Sequence, residues 1–96
     1  MTKTKSKKIR ESARGKPCQM RIEGCMPDNE TVVLAHLNGA GMGLKAIDIH
    51  GAYLCLSCHD TYDGRKESNR DKDDIELQML RAVINTQQIL DHEGLI

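Results

Sequence analysis

Apolar residues recur at steps of three and four near the C-terminus. Ile75, Met79, Ala82, Val83 and Leu90, with Thr86 among them, fall on one stripe and predict a helix over 73–92. Asp73 and Asp74 in its first turn suit the helix dipole, and Gly94 follows as a stop. Leu77, Leu80, Ile84 and Ile89 widen the apolar face beyond one stripe. That width reads first as a core helix, with a homodimer face as the alternative. Upstream the period changes to two. Thr31 to Leu37 (TVVLAHL) and Ile47 to Leu56 (IDIHGAYLCL) are rich in β-branched and apolar residues and predict two strands. Between them Asn38 to Gly43 (NGAGMG) has three glycines in six residues and reads as a loop. A short helix is expected over 57–66, with Ser57 as its N-cap. Glu67 to Lys72 reads as a polar connector, Ile9 to Gly15 as a short helix, Lys16 to Cys25 as a loop or knuckle, and Pro27 to Glu30 as a turn.

Composition makes this small α+β chain hard to stabilise by burial alone. It has 96 residues, 39% of them apolar, with no Trp, no Phe and two tyrosines, Tyr53 and Tyr62. The large anchors of a small core are missing, so something else must hold the fold. The scarcity of aromatics argues against a base-stacking platform for single strands. No apolar run approaches the roughly 20 residues of a membrane span. The N-terminus lacks an apolar signal core, so a cytoplasmic location is expected.

Zero net charge hides an asymmetry. Met1 to Arg21 holds eight bases and one acid, a net of +7, and the remainder carries −7. Residues 1–15 read as a basic arm, its first eight residues disordered, and 16–96 as a single domain. Such an arm suits a polyanion such as DNA, or is simply a solvated tail.

The four cysteines are the candidates for the missing anchor. Cys55 and Cys58 form a C-x₂-C step at the end of a predicted strand, where a sharp turn brings two thiolates to one ion. Cys18 and Cys25 are spaced more widely. Together they can close a tetrahedral structural Zn²⁺ site with no cysteine left over. Disulfides are the alternative, disfavoured in an intracellular chain.

Four histidines complete the candidate chemistry. His92 sits near the end of the long helix, where a cation suits the dipole. His36 ends a predicted strand; taken alone, it reads as an edge or core residue. His59 and Asp63 are at i and i+4 of the helix that follows Cys58, about 6 Å apart on one face. That pair can bind a divalent ion, or form a solvated face.

Strand with a terminal histidine, loop, strand, C-x₂-C-His, helix: this order resembles the HNH, or ββα-metal, nuclease motif over roughly 18–66. The residues carrying it are Cys18, Cys25, Leu34-Ala35-His36, Leu54-Cys55-Leu56-Ser57-Cys58-His59 and Asp63. More narrowly, Ser12-Ala13-Arg14-Gly15-Lys16-Pro17-Cys18-Gln19, Val33-Leu34-Ala35-His36 and Cys55-Leu56-Ser57-Cys58-His59-Asp60 resemble the YbcO-like family of small lambdoid prophage proteins, described as nucleases. That family is similar to the zinc-bearing core of the phage recombination-enhancement nuclease Ref. The resemblance implies a zinc-stabilised ββα-metal core with a long C-terminal helix, acting on DNA in phage recombination or DNA processing. It implies His36 as general base, His59 as a metal ligand and Asp63 as a further ligand. The motif's usual Asn position, five residues before the first cysteine of C-x₂-C, is His50 here, which would orient His36 or bind metal. Many HNH nucleases place an Asp or His ligand immediately before the base, where this chain has Ala35. Asp48 is the candidate substitute ligand for a catalytic ion such as Mg²⁺.

Two rival readings stand beside the enzyme. One is a non-catalytic zinc module whose basic arm binds DNA or a recombination protein. The other is an adaptor or homodimer working through the wide face of the last helix.

Overall fold

The computed structural model describes residues 7–26, 29–37 and 47–96. The expected glycine loop over 38–43 lies outside the described residues, as do residues 1–6 and 27–28. Helix α1 spans Lys7–Ser12, strand β1 Val33–His36 and strand β2 Gly51–Leu54; helix α2 spans Leu56–Tyr62 and α3 Lys72–His92. Lys7 and Lys8, expected to be disordered, form the first turn of α1, because Ile9 and Ala13 have a buried site to reach.

The two strands pair antiparallel, with Val33 opposite Leu54, Leu34 opposite Tyr53, Ala35 opposite Ala52 and His36 opposite Gly51. Both are shorter than the sequence suggests. The N–H of Leu37 donates to the His50 carbonyl at 3.1 Å, and the N–H of His50 donates to Ile47 at 2.9 Å. This second bond closes a one-turn 3₁₀ helix over Asp48–His50 where a strand was expected, and turns Asp48 inward. Gly51 then lets β2 start tight against β1: an added Cβ would lie 2.8 Å from Leu34 Cγ and 3.1 Å from the Ala35 carbonyl oxygen.

One edge of β2 is paired with β1, and the other is covered by side chains and loop. The N–H of Tyr53 donates to Thr86 Oγ1 on α3 at 3.0 Å, and the Tyr53 carbonyl accepts from the Gln19 N–H at 2.8 Å. An open sheet edge is thereby closed. Tyr53 is the largest fully buried side chain, and its hydroxyl pairs with Ser12 Oγ at 2.7 Å. The expected stripe of α3 packs on this sheet: Met79, Ala82, Val83, Thr86 and Leu90 are buried and Ile75 is half-buried. Of the wider apolar face, Ile89 packs half-buried against the core, whereas Leu77, Leu80 and Ile84 are 44%, 44% and 56% exposed and are not core in the single chain. No helix among the described residues is long and apolar enough to cross a membrane.

Candidate metal centre and histidine pairs

The turn from β2 into α2 is built by a cysteine. Cys55, not the expected Ser57, is the N-cap: its Sγ accepts the Cys58 N–H at 3.4 Å. A second N–H, from Met26, reaches the same sulfur at 3.3 Å. Ser57 Oγ is instead a partner of Lys66 Nζ. Helix α2 stops before the expected Lys66. Gly64 takes φ +80°, and the N–H groups of Arg65 and Lys66 fold back onto the Asp60 carbonyl. That is the usual use of a left-handed glycine beyond a helix end.

Cys18 and Cys25 come from the loop between α1 and β1. The C-x₆-C spacing is taken up by two turns. Arg21 adopts φ 52°, with its Nε on the Cys18 carbonyl at 2.8 Å, and the Cys25 N–H closes onto Ile22 at 2.9 Å. The four sulfurs of Cys18, Cys25, Cys55 and Cys58 all lie within 4.8 Å of one another. None is in a disulfide, and three of the four residues are buried.

This donor set fits a tetrahedral thiolate site. Zn–S bonds of about 2.3 Å put the corners of a tetrahedron about 3.8 Å apart. Cys25 and Cys55 already stand at 3.7 Å. The protonation of the cluster points the same way. A hydrogen bond from Cys58 pulls Cys18 down to about 4. That same bond, with burial, pushes its donor Cys58 up. Burial and the neighbouring sulfurs raise Cys25 to about 11. Cys18 is thus already a thiolate, while Cys58 and Cys25 keep protons that a divalent cation at the centre of the cluster would displace. The cluster can therefore hold a metal ion.

The histidines fall into separate pairs. His59 Nε2 lies 3.1 Å from Asp63 Oδ2, the expected i, i+4 contact on α2. Arg65 closes over the same carboxylate at 2.9 Å and reaches Asp60 at 3.3 Å. His36, at the end of β1, has its Nε2 2.7 Å from Asp48 Oδ1. The other Asp48 oxygen takes Arg10 Nη1 at 2.8 Å. Asp48 is 3% exposed, so a buried carboxylate carries both contacts. His50 ends the 3₁₀ turn and is exposed, as is His92. Among the described residues, the four cysteines form the only group of three or more His, Cys, Asp or Glu donors that converges in this way.

The Arg10–Asp48–His36 chain joins residues 38 and 12 positions apart and left little trace in the sequence. Asp48 alternates with Ile47 and Ile49, which reads as an outward strand position. Only the 3₁₀ turn reverses it.

A family model described as "Putative nuclease YbcO" matches residues 7–95. The chain belongs to the YbcO family. Over 61 residues it is 43% identical to "Putative nuclease YbcO" of Escherichia coli (strain K12). It has the same identity over the same length to "Putative nuclease ybcO" of Enterobacteria phage 82. Each match covers 59% of this chain and 64% of the relative, so it spans a little under two thirds of those proteins. A solved structure, titled "Structure of a putative bacteriophage protein from Escherichia coli str. K-12 substr. MG1655", superposes with a TM-score of 0.77 at 35% identity. It covers 91% of this YbcO-family chain and 100% of its own. The overall fold is thus shared with a solved structure.

Proposed function

We propose that this YbcO-family chain is a metal-dependent DNA endonuclease of HNH type, working in phage recombination or DNA processing. The observation that carries the reading is His36, held by a buried carboxylate, in a β-hairpin that runs directly into a cysteine-anchored helix bearing His59 and Asp63. The nuclease names of its relatives support it. In this reading Zn²⁺ sits among Cys18, Cys25, Cys55 and Cys58 and is structural. A divalent ion such as Mg²⁺, held by His59 and Asp63, would supply charge neutralisation at the phosphate and the departing oxygen. His36 takes the proton of the attacking water. His50 stands near the same end of the hairpin as a further polar group, and Arg65, Lys66 and the N-terminal bases grip the phosphate backbone. The products would carry 5′-phosphate and 3′-hydroxyl ends.

The test compares the protein with His36→Ala on plasmid and on linear single-stranded DNA, with Mg²⁺ or Mn²⁺. Loss of the base is expected to slow cleavage by about 10²–10⁴-fold. Equal cleavage by both proteins, or none by either, removes the catalytic role.

A specific observation favours a second reading, a non-catalytic zinc-stabilised DNA-binding or recombination accessory module. Ala35 stands where many HNH nucleases have a ligand, and no third donor converges on His59 and Asp63 among the described residues. Counting metals separates the two. A second divalent ion that is lost in His59→Ala, while the ion at the four cysteines stays, supports the enzyme.

A further inference from the structure

We propose that Asp48 and Arg10 are positioning residues for His36, holding its ring with the proton on Nε2 and presenting Nδ1 as the basic nitrogen. The part concerning catalysis rests on the nuclease reading above. The part concerning the ring stands on geometry alone.

An ionised carboxylate only accepts hydrogen bonds. At 2.7 Å from Asp48 Oδ1, His36 Nε2 must therefore be the donor, whether the ring is neutral or protonated. The neutral ring then keeps its lone pair on Nδ1. A buried carboxylate is tolerated only with compensating partners. Arg10 supplies the charge, 2.8 Å from the second oxygen, while its own side chain remains 46% exposed and hydrated. One oxygen is thus committed to the guanidinium and the other to the imidazole, so each fixes the rotation of the carboxylate for its neighbour.

The carboxylate is also fixed from behind. Asp48 belongs to the 3₁₀ turn, which is tied to β1 through Leu37 and His50 and to α3 through Gln87 Nε2 on the Ile49 carbonyl. His36 is fixed by its pairing with Gly51, the residue that ends the same turn. Base and carboxylate are therefore set on one short rigid piece of backbone, which is how a catalytic ring is kept in one orientation. This arrangement gives each Asp48 oxygen a partner within the protein and makes Asp48 a partner of the base.

Nitrogen-15 NMR of the histidine-labelled full chain tests this without reference to activity. In the unmodified protein the neutral His36 ring is expected to show a protonated Nε2, with its proton visible and slow to exchange, and a bare Nδ1. Asp48→Asn keeps the shape but loses the charge-assisted bond, so the Nε2 proton should exchange about tenfold faster. A ring protonated on Nδ1, or an Nε2 proton exchanging equally in both proteins, overturns the proposal. With DNA as substrate, Asp48→Asn should lower kcat at least about tenfold with little change in KM. If the unmodified protein cleaves no DNA but the ring signature is present, the nuclease reading fails and the positioning stands. If cleavage is present and the signature absent, the reverse holds.

Discussion

Thr86 shows how a single side chain can be placed correctly by pattern while its work goes unseen. Its spacing put it on the buried stripe of α3, and it is buried there. Periodicity treats it as an honorary apolar residue. In the folded chain its hydroxyl accepts the Tyr53 N–H on the edge of β2 that has no strand neighbour. Valine has nearly the same shape and no acceptor. Thr86→Val should therefore leave a buried N–H unpaired and cost about 1–3 kcal/mol in urea unfolding. Thr86→Ser keeps the acceptor and should retain most of that. Equal stability of the valine variant would mean that water reaches the Tyr53 N–H. Gly51 was equally silent in the sequence, because its role depends on how near Leu34 and the Ala35 carbonyl come.

Among the elements, the segment that read only as a polar connector carries a clamp. Arg70 bonds Glu23 through Nη2 at 2.7 Å and through Nε at 2.9 Å, and it also engages Asp74 through Nη1. Glu23 lies in the cysteine-bearing loop and Asp74 in the first turn of α3, so one guanidinium staples that loop to the long helix. No local pattern reveals a contact across 47 residues. Its pH signature follows from charge. The Arg70 hydrogen bonds hold the Glu23 carboxyl below its ordinary 4.5 and the Asp74 carboxyl below its ordinary 3.8. Groups depressed in the folded state contribute stability above their ordinary values and lose it as pH falls through the folded ones. Arg70→Met should therefore be less stable than the unmodified protein near neutrality, with the gap closing in acid. Glu23 is exposed and Asp74 only half-buried, so added salt should shrink the gap as well. A gap that widens as pH falls contradicts the clamp. The elements that were readable, α3 above all, have long regular periods. Asp48–His50 has strand-like composition but forms a turn in the folded chain, where Asp48 meets His36 and Arg10 across long sequence separations that no local pattern encodes.

For the molecule as a whole, the decisive question is what replaces the absent aromatics. The hydrophobic cluster is continuous, and Ala13, Ala35, Ala52, Ala82 and three of the cysteines make up seven of its seventeen buried members. The four sulfurs join the loop after α1, the end of β2 and the start of α2. A structural zinc in a site of this kind contributes on the order of 10 kcal/mol. Domains of this size have a total stability of about 5–15 kcal/mol. Removing the ion should therefore cost most of the fold and not merely loosen it. A strong chelator is expected to abolish the cooperative thermal transition and much of the helical circular dichroism, and Zn²⁺ should restore both. Cys58→Ser should behave like the chelated protein even with Zn²⁺ present, since it removes a ligand from the first turn of α2. The Arg70 clamp and the Thr86 cap act on a molecule already folded, so their variants should keep the transition and only shift its midpoint. If the chelated protein instead melts cooperatively near the untreated temperature, the small side chains alone suffice, and the cysteine cluster needs another explanation than holding the fold.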